Sequence, residues 1–434
     1  MTAPGWRLTR RAVLTGLGAA MASELAGGCA REAIASGLLT TRPEDRAATF
    51  RRVDRILPTR VVRRGPEVRA LPVHPRPLAA DGNIEGFIRR NRVAGLLALK
   101  DGAVALERYA LGNGPRTRWT TFSLAKSVTS TLVGAALHAG ALAGLDDPIT
   151  THVAALRGSA YDGVTIRQAL RMCSGVQWNE EYSPTGDSDI ARLSAALTSR
   201  RRCAVMDLMR TRTRAAAPGT RFNYSTGESY VLGAAAAGAT GRTLADLLSR
   251  TIWSRAGMES DAYWCLDGED GLEMGGNNLS ATLRDYARFG QVVLDDGVIA
   301  GVRVLPTGWR DLVGRPDDPI TAPGASGSEF GYGYHWWSFP DDSAAGSRHT
   351  GALLASGIYG QFLYVHPPER LVVVMWSAWS APWLDEAARE TYALLAAIVE
   401  RLSGEAHVAH HSRAALDRRE GSIEGRHQQI DLRG

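Results

Sequence analysis

The order of the strand and helix patterns constrains the fold of this chain more than any other feature of its sequence. Val93–Lys100 and Ala103–Tyr109 are apolar runs joined by Asp101-Gly102, a two-residue turn typical of a β-hairpin. Aromatic or β-branched runs typical of strands return in the last third of the chain, at 332–339, 357–366 and 371–377. The segment between them has mainly helical patterns. This order predicts an α+β fold (α/β-α), in which an antiparallel sheet completed by both chain ends is flanked by helices and carries an inserted helical region.

A serine and a lysine three residues apart, Ser123 and Lys126, begin the first helical pattern. Residues three apart lie on one face of a helix, and the helix dipole stabilises negative charge that develops at its N-terminus. The chain has only two lysines, Lys126 and Lys100, among its 50 Lys and Arg residues. Because an amine can lose its proton in a protein and a guanidinium cannot, the pair predicts a serine nucleophile with a lysine base. The alternative is a chance Ser-x-x-Lys on an ordinary amphipathic helix.

Charge and cysteine content argue against nucleic-acid and metal sites. The net charge is +5, but the arginines are scattered through the chain and form no stripe with interleaved aromatic residues, so we expect no nucleic-acid partner. The four cysteines include no C-x-x-C pair, and the chain contains no H-E-x-x-H motif. We therefore expect no zinc site.

The N-terminal residues 1–30 resemble an export signal. A twin-arginine-like motif precedes an apolar run that is too short to span a bilayer as a permanent helix. The signal ends in Gly-Gly-Cys29, which resembles a lipoprotein cleavage site, although Glu24 and Ala26 depart from that pattern. We therefore expect export to the periplasm or another extracytoplasmic compartment, with membrane attachment if Cys29 is lipidated. The alternative is a disordered basic N-terminus of a cytoplasmic protein.

Composition divides the rest of the chain into three segments. Residues 31–83 are rich in Arg and Pro and lack sustained periodicity, which predicts an extended arm. Residues 84–404 contain the strand and helix patterns and are predicted to form one domain. Residues 405–434 are polar, which predicts a tail.

Two motifs resemble those of the serine β-lactamase and penicillin-binding-protein superfamily. The segment around Ser123 and Lys126 resembles the first motif of that superfamily. Tyr224-Ser225-Thr226 resembles the second motif of the class C β-lactamase and esterase branch, with Thr226 in place of the usual asparagine. The pattern is most similar to that of 6-aminohexanoate-dimer hydrolase-like serine hydrolases. The resemblance implies a β-lactamase/transpeptidase-like fold.

Two segments compete for the third motif of the superfamily, which is Lys-Thr-Gly or His-Thr-Gly. His349–Gly351 matches by sequence, whereas Ser356–Ile358 matches the 6-aminohexanoate-dimer hydrolase-like members by context, because it precedes a Gly-Gln pair and an outgoing strand. We prefer the second segment. Gly357 and the backbone N–H of Ile358 would then lie at the strand edge that faces Ser123.

The resemblance implies a hydrolase that works through an acyl-enzyme and needs no cofactor or metal. Ser123 would attack a carbonyl carbon, and Lys126 would take its proton. Tyr224, with a phenol pKa lowered by Lys126, would relay that proton to the leaving group. The backbone N–H groups of Ser123 and Ile358 would form the oxyanion hole.

The same resemblance implies four substrate-binding residues: Tyr182, Asn277, Trp336 and Gly357. Ordinary packing is the alternative for the first three, because loop tyrosines, Gly-Asn turns and strand tryptophans are common structural features. The expected partner is a small linear molecule cleaved at an amide bond. A carboxylesterase and a D-alanyl-D-alanine carboxypeptidase or β-lactamase-like enzyme are the alternative activities, although the missing Lys-Thr-Gly argues against strong β-lactamase activity. A catalytically silent binding relic, which would tolerate Ser123→Ala, is the non-enzymatic alternative.

Overall fold

A computed structural model describes residues 38–182, 187–325, 328–340 and 346–403. The predicted export signal with Cys29 and the predicted tail at 405–434 lie outside these residues. Within the described part of the chain, none of the helices combines the length and apolar character needed to cross a membrane.

The strands are contributed by both ends of the chain, as the sequence predicts. Their bounds are β1 Thr59–Val62, β2 Val93–Lys100, β3 Ala103–Tyr109, β4 Arg118–Thr120, β5 Ala262–Cys265, β6 Leu279–Thr282, β7 Val298–Ile299, β8 Val302–Arg303, β9 Gly331–Tyr332, β10 Trp337–Ser338, β11 Leu353–Gly357, β12 Gln361–His366 and β13 Leu371–Ser377. A seven-stranded antiparallel sheet has the order β3-β2-β13-β12-β11-β10-β9, and a smaller sheet has the order β1-β5-β6-β4. Strands β7 and β8 form a separate hairpin.

The first predicted hairpin is confirmed, but two of the later strand predictions are corrected. Asp101 and Gly102 form the turn between β2 and β3, with φ of 52° and 79°. The predicted strand at 332–339 is instead the short pair β9 and β10, because the chain reverses around His335, whose φ is 61°. The run at 357–366 is divided in the same way by a turn at Tyr359 and Gly360, so that β11 ends before it and β12 begins after it.

Helices cover both faces of the large sheet. Their bounds are α1 Arg46–Phe50, α2 Val53–Ile56, α3 Gly82–Arg90, α4 Ala125–His138, α5 Ile149–His152, α6 Ile166–Leu170, α7 Asp189–Thr198, α8 Ala204–Arg210, α9 Thr226–Thr240, α10 Leu244–Leu248, α11 Leu283–Leu294, α12 Trp309–Gly314, α13 Gly346–His349 and α14 Asp385–Ser403, with short 3-10 turns at Leu38–Thr40, Phe122–Leu124, Ala154–Leu156 and Pro319–Thr321 and a π-helical turn at Ser249–Trp253. Val372 and Val374 of β13 pack in the core that contains α4, α9 and α11. Val373, between them, packs in a second core with α3 and α14. This alternation is that of a strand buried on both faces.

The predicted extended arm is wrong for residues 38–62. These residues form α1, α2 and β1, and β1 joins the smaller sheet by pairing with β5. Phe50, Val53 and Ile56 recur at helical spacing and are buried in the main core. The Arg- and Pro-rich composition of the segment led to the prediction of an extended arm. These few apolar residues are nevertheless enough to pack the segment against the domain.

Candidate active site

Ser123 lies in a single 3-10 turn, Phe122–Leu124, between strand β4 and helix α4. Its neighbour Phe122 has φ of 47°, a left-handed conformation that is uncommon for a residue with a side chain. Aromatic packing holds this residue in place, because the Phe122 ring lies 4.9 Å from that of Phe50 and 5.3 Å from that of Tyr359. The folded N-terminal segment, through Phe50, thus supports the backbone that presents Ser123.

Lys126 lies one turn further along, on the buried first turn of α4. Its Nζ lies 2.8 Å from Ser123 Oγ, 2.8 Å from Thr226 Oγ1 and 3.0 Å from the carbonyl oxygen of Gly276. The lysine is 1% exposed, and Ser123 is 7% exposed. The predicted proximity of Ser123 to Lys126 is therefore confirmed by the structure.

The hydrogen bonds around Lys126 fix the direction of proton transfer. The Gly276 carbonyl can only accept a hydrogen bond. The Thr226 hydroxyl donates to Glu180 Oε1 at 2.5 Å, so it must accept from the amine. A neutral amine has two N–H groups and one lone pair, and these two acceptors use both N–H groups. The lone pair is then left for the O–H of Ser123, which is the arrangement that a general base requires.

Burial also favours the neutral amine. It lowers the pKa of Lys126 from 10.5 to about 8, because an ammonium ion loses its hydration there, while the Glu180 carboxylate opposes this and raises the pKa. His335, whose Nε2 lies 3.3 Å from Ser229 Oγ, is buried beside the same site. Burial, and then the charge of Lys126, lower its pKa to about 3. Lys126 is thus close to its neutral form at mildly alkaline pH.

Glu180 is a site residue that the sequence analysis missed. Its Oε1 accepts hydrogen bonds from the hydroxyls of Thr226 and Tyr182, and its Oε2 accepts from the Trp178 indole and the Thr226 backbone N–H. The carboxylate therefore connects to Lys126 through a single hydroxyl. Thr226 was noticed only as a departure from the usual asparagine. The sequence shows only that Glu180 stands two residues before the predicted Tyr182, and this position alone does not indicate a role.

Tyr224 lies at the site, as predicted, but its predicted pKa is wrong. Lys126 Nζ is 4.9 Å from the centroid of the Tyr224 ring. Burial and then the Glu180 carboxylate raise the phenol pKa above its ordinary value, and a hydrogen bond with Ser123 opposes them only in part. The expected lowering is absent because a buried phenolate would lose its hydration and would be repelled by the Glu180 carboxylate. Tyr224 is therefore a neutral hydroxyl that can donate a proton.

The structure separates the two segments that compete for the third motif. A Cβ atom built on Gly357 would lie 2.2 Å from the Thr121 carbonyl oxygen and 3.2 Å from the Ser123 backbone nitrogen. The end of β11 therefore approaches the nucleophile so closely that only glycine fits. Ile358, the next residue, lines the cavities at Ser123. His349 lines a different cavity and packs against Phe339, with ring centroids 4.1 Å apart.

The predicted substrate-binding residues are only partly placed at the site. Tyr182 and Asn277 line the space next to Ser123, and Asn277 Oδ1 is buried without a hydrogen-bond partner among the described residues. Trp336 is a correction, because it is fully buried in the core and lines neither cavity at Ser123. Its neighbour Trp337 lines the site instead. The exchange follows from the alternation of side chains along an extended segment, which the sequence analysis placed one residue out of register.

Two cavities meet at Ser123 and share Tyr182 and Ile358. The arm-side cavity is narrow, with a volume of about 40 Å³, lies between the folded N-terminal segment and helix α7, and is lined by Leu38, Leu39, Ile56, Leu57, Ile190, Leu193 and Leu197. The aromatic cavity is larger, with a volume of about 560 Å³, and is lined by Tyr224, Phe330, Trp337, Trp383 and Tyr392. In the described part of the chain, no group of three His, Cys, Asp or Glu side chains is placed to hold a metal ion.

The chain is similar to known hydrolases in both sequence and fold. The model of the β-lactamase family matches residues 80–404. A 6-aminohexanoate-dimer hydrolase from Paenarthrobacter ureafaciens is 30% identical over 350 residues, which cover 78% of this chain and 87% of the relative.

Solved structures show the same fold at lower identity. A protein from Bacillus anthracis provisionally named a 6-aminohexanoate-dimer hydrolase superposes with a TM-score of 0.72 at 23% identity, over 82% of this chain and 94% of that chain. A penicillin-binding protein homologue from Caulobacter crescentus gives a TM-score of 0.55 at 14% identity, over 70% of this chain and 93% of that chain. A class C β-lactamase gives a TM-score of 0.53 at 18% identity, over 73% of this chain and 94% of that chain.

Proposed function

The chain belongs to the β-lactamase family of serine hydrolases, and from that premise we propose that it cleaves the amide bond of a small linear substrate through an acyl-enzyme on Ser123. The observation that carries the proposal is the buried Lys126 amine, whose Nζ lies 2.8 Å from Ser123 Oγ and within 3.0 Å of two acceptors, so that in its neutral form its lone pair is left for the Ser123 hydroxyl.

The proposed reaction uses groups that are already in contact. Ser123 gives its proton to Lys126 as its Oγ attacks the carbonyl carbon, and the backbone N–H groups of Ser123 and Ile358 stabilise the oxyanion. Tyr224 donates its hydroxyl proton to the leaving nitrogen and recovers a proton from Lys126 as the C–N bond breaks. Water then attacks the acyl-enzyme with the proton transfers reversed, which releases a carboxylic acid and regenerates Ser123.

A linear substrate is supported by the shape of the site and by the relative from Paenarthrobacter ureafaciens. The dimer named for that relative consists of two aliphatic chains joined by one amide bond. The arm-side and aromatic cavities both include Ser123 in their lining, and each could take one chain. Ester hydrolysis is a second candidate, favoured by the absence of charged side chains among the described residues that line the arm-side cavity. A cationic side chain for a β-lactam carboxylate is missing from the segment Ser356–Ile358.

Labelling with a fluorophosphonate, read by intact mass, tests the proposal. We expect one adduct on the wild type and none on Ser123→Ala or Lys126→Ala. Circular dichroism of both variants controls for folding. A folded wild-type protein that takes up no adduct would contradict the hydrolase mechanism and favour the binding relic.

We also propose that the chain is exported, on the basis of the signal-like residues 1–30. Cell fractionation of the full chain tests this proposal, with Arg10→Lys/Arg11→Lys as the variant that should remain in the cytoplasm. Loss of palmitate incorporation in Cys29→Ser would support lipidation. Equal distribution of the wild type and the arginine variant would contradict twin-arginine export.

A further inference from the structure

The two cavities that meet at Ser123 differ in charge. The aromatic cavity is lined by three carboxylates, Glu180, Glu329 and Asp385, and by no Lys or Arg among its described residues. This is unexpected in a chain with 50 Lys and Arg residues and a net charge of +5. The arm-side cavity has no charged residue of either sign among its described lining.

Tyr224 identifies the half of the substrate that each cavity would hold. Tyr224 lines the aromatic cavity and not the arm-side cavity. Because its hydroxyl delivers the proton to the leaving nitrogen, the leaving group must lie on its side of Ser123. The acyl chain then extends into the arm-side cavity, between Leu57 and Leu193. This assignment rests on the proposed function.

Two of the three carboxylates are available to a ligand. Glu180 already accepts four hydrogen bonds from neighbouring residues. Glu329 and Asp385 are both exposed, and both raise the pKa of Tyr392, which shows that they act on the same part of the cavity. Asp385 accepts one hydrogen bond, from the Trp383 indole at 3.0 Å.

Aromatic rings complete a site suited to a cation. Tyr392, Trp337 and Phe330 line the cavity alongside Glu329 and Asp385. Aromatic faces attract ammonium groups, and nearby carboxylates add a Coulombic attraction. A carboxylate on the leaving group would instead be repelled, with no described cationic side chain to receive it.

We propose that the preferred substrate has an uncharged aliphatic acyl chain and a leaving group that ends in an ammonium, as in a monoacylated aliphatic diamine. The acyl chain is held by the apolar walls of the arm-side cavity, and the ammonium lies among the rings and the carboxylates of Glu329 and Asp385. Hydrolysis adds water across the C–N bond and releases a fatty carboxylate and the free diamine.

A matched set of amides tests the proposal through kcat/KM. Three substrates share a hexanoyl group and differ in the leaving amine, which is hexamethylenediamine, hexylamine or 6-aminohexanoate. A fourth is a hexylamide whose acyl chain ends in an ammonium. We expect the diamine amide to be cleaved about tenfold faster than the hexylamine amide, and the other two to be slower than the hexylamine amide. Equal values for the diamine and 6-aminohexanoate amides would overturn the proposal.

Variants locate the effect at the aromatic cavity. In Glu329→Gln/Asp385→Asn, the ratio of kcat/KM for the diamine amide to that for the hexylamine amide should fall close to one. Glu386→Gln, which removes an exposed carboxylate from the same helix turn outside the cavity lining, should keep the wild-type ratio. If Glu329→Gln/Asp385→Asn also keeps the wild-type ratio, these two carboxylates do not select the substrate.

Fluorophosphonate labelling separates this proposal from the proposed function. Protein that labels at Ser123 but prefers no cationic leaving group, or cleaves none of the four amides, overturns only the substrate assignment. Protein that neither labels nor cleaves any amide overturns both.

Discussion

The surroundings of Lys126 and the mouth of the aromatic cavity both contain charged groups, but these groups are buried in the first region and exposed to water in the second. Lys126 is almost completely buried, and its amine has three partners within 3.0 Å. Glu329 and Asp385 are exposed to water. Burial makes the protonation state of Lys126 depend on its neighbours, whereas water screens the carboxylates at the mouth. We call the surroundings of Lys126 the inner region, and Glu329 and Asp385 with the rings beside them the outer region. The inner region should therefore determine the rate of the reaction, and the outer region should determine only the preference among substrates.

Removing the inner base gives the largest expected effect. Lys126→Ala and Lys126→Arg should each lower kcat/KM by about 10³-fold or more, because neither side chain can accept the Ser123 proton. Lys126→Arg keeps most of the side-chain volume, so it separates loss of the base from loss of packing. Activity of Lys126→Arg within tenfold of the wild type would show that the base has been misassigned.

Neutralising Glu180 should have an intermediate effect. Glu180→Gln should lower kcat/KM by roughly tenfold, because the link to Thr226 and Tyr182 loses a charged acceptor. Glu180 raises the pKa of Lys126, so its removal should move the acid limb of the pH profile to lower pH. Glu181→Gln, an exposed neighbour, is the matched control. If the acid limb of the kcat/KM profile is unchanged in Glu180→Gln, Glu180 does not influence the protonation of Lys126.

The Thr226 hydroxyl gives a smaller effect that depends on one hydrogen bond. Thr226→Val keeps the shape of the side chain but leaves an N–H of Lys126 unpaired and removes one of the two hydrogen bonds to Glu180 Oε1, which costs about 1–3 kcal/mol. We expect kcat/KM to fall by about fivefold, which corresponds to the lower end of that range. Thr226→Ser should restore most of the activity. Failure of serine to rescue would mean that the methyl group, and not the hydroxyl, is required.

Salt should give the smallest effect and should act on the outer region alone. Raising the ionic strength to about 1 M shortens the Debye length to about 3 Å, so the preference for a cationic leaving group should fall a few-fold. The midpoint of the acid limb, set by the buried Lys126, should remain in place. If salt clearly shifts the midpoint of the acid limb as well as the substrate preference, Lys126 is not shielded from solvent in the way that this comparison requires.

The sequence was sufficient for the parts of the site that depend on local spacing. Ser123 and Lys126 lie on one helical turn, so their spacing alone brings the two side chains together. Gly357 was placed at Ser123 by the resemblance and not by periodicity, and the strand that positions it, Leu353–Gly357, was not predicted. Glu180 could not be recognised in this way. Its role depends on the packing of a loop against the start of α9, and no local pattern records that contact.

Two errors show where local patterns mislead. Trp336 and Trp337 are adjacent, and a shift of one residue exchanges the buried side chain for the one that lines the cavity. Residues 38–62 were predicted to be extended because the segment is rich in Arg and Pro. A few of its apolar residues are nevertheless buried in the core or line the arm-side cavity. Composition averages over a segment, whereas docking depends on individual side chains.

The pH dependence of fluorophosphonate labelling tests the central claim, that neutral Lys126 activates Ser123, most directly. The second-order rate of adduct formation should rise with pH as Lys126 loses its proton and level off above a midpoint near its pKa of about 8. The midpoint should be lower in Glu180→Gln. A labelling rate that is constant from about pH 6 to about pH 10, in a folded protein labelled at Ser123, would contradict the claim.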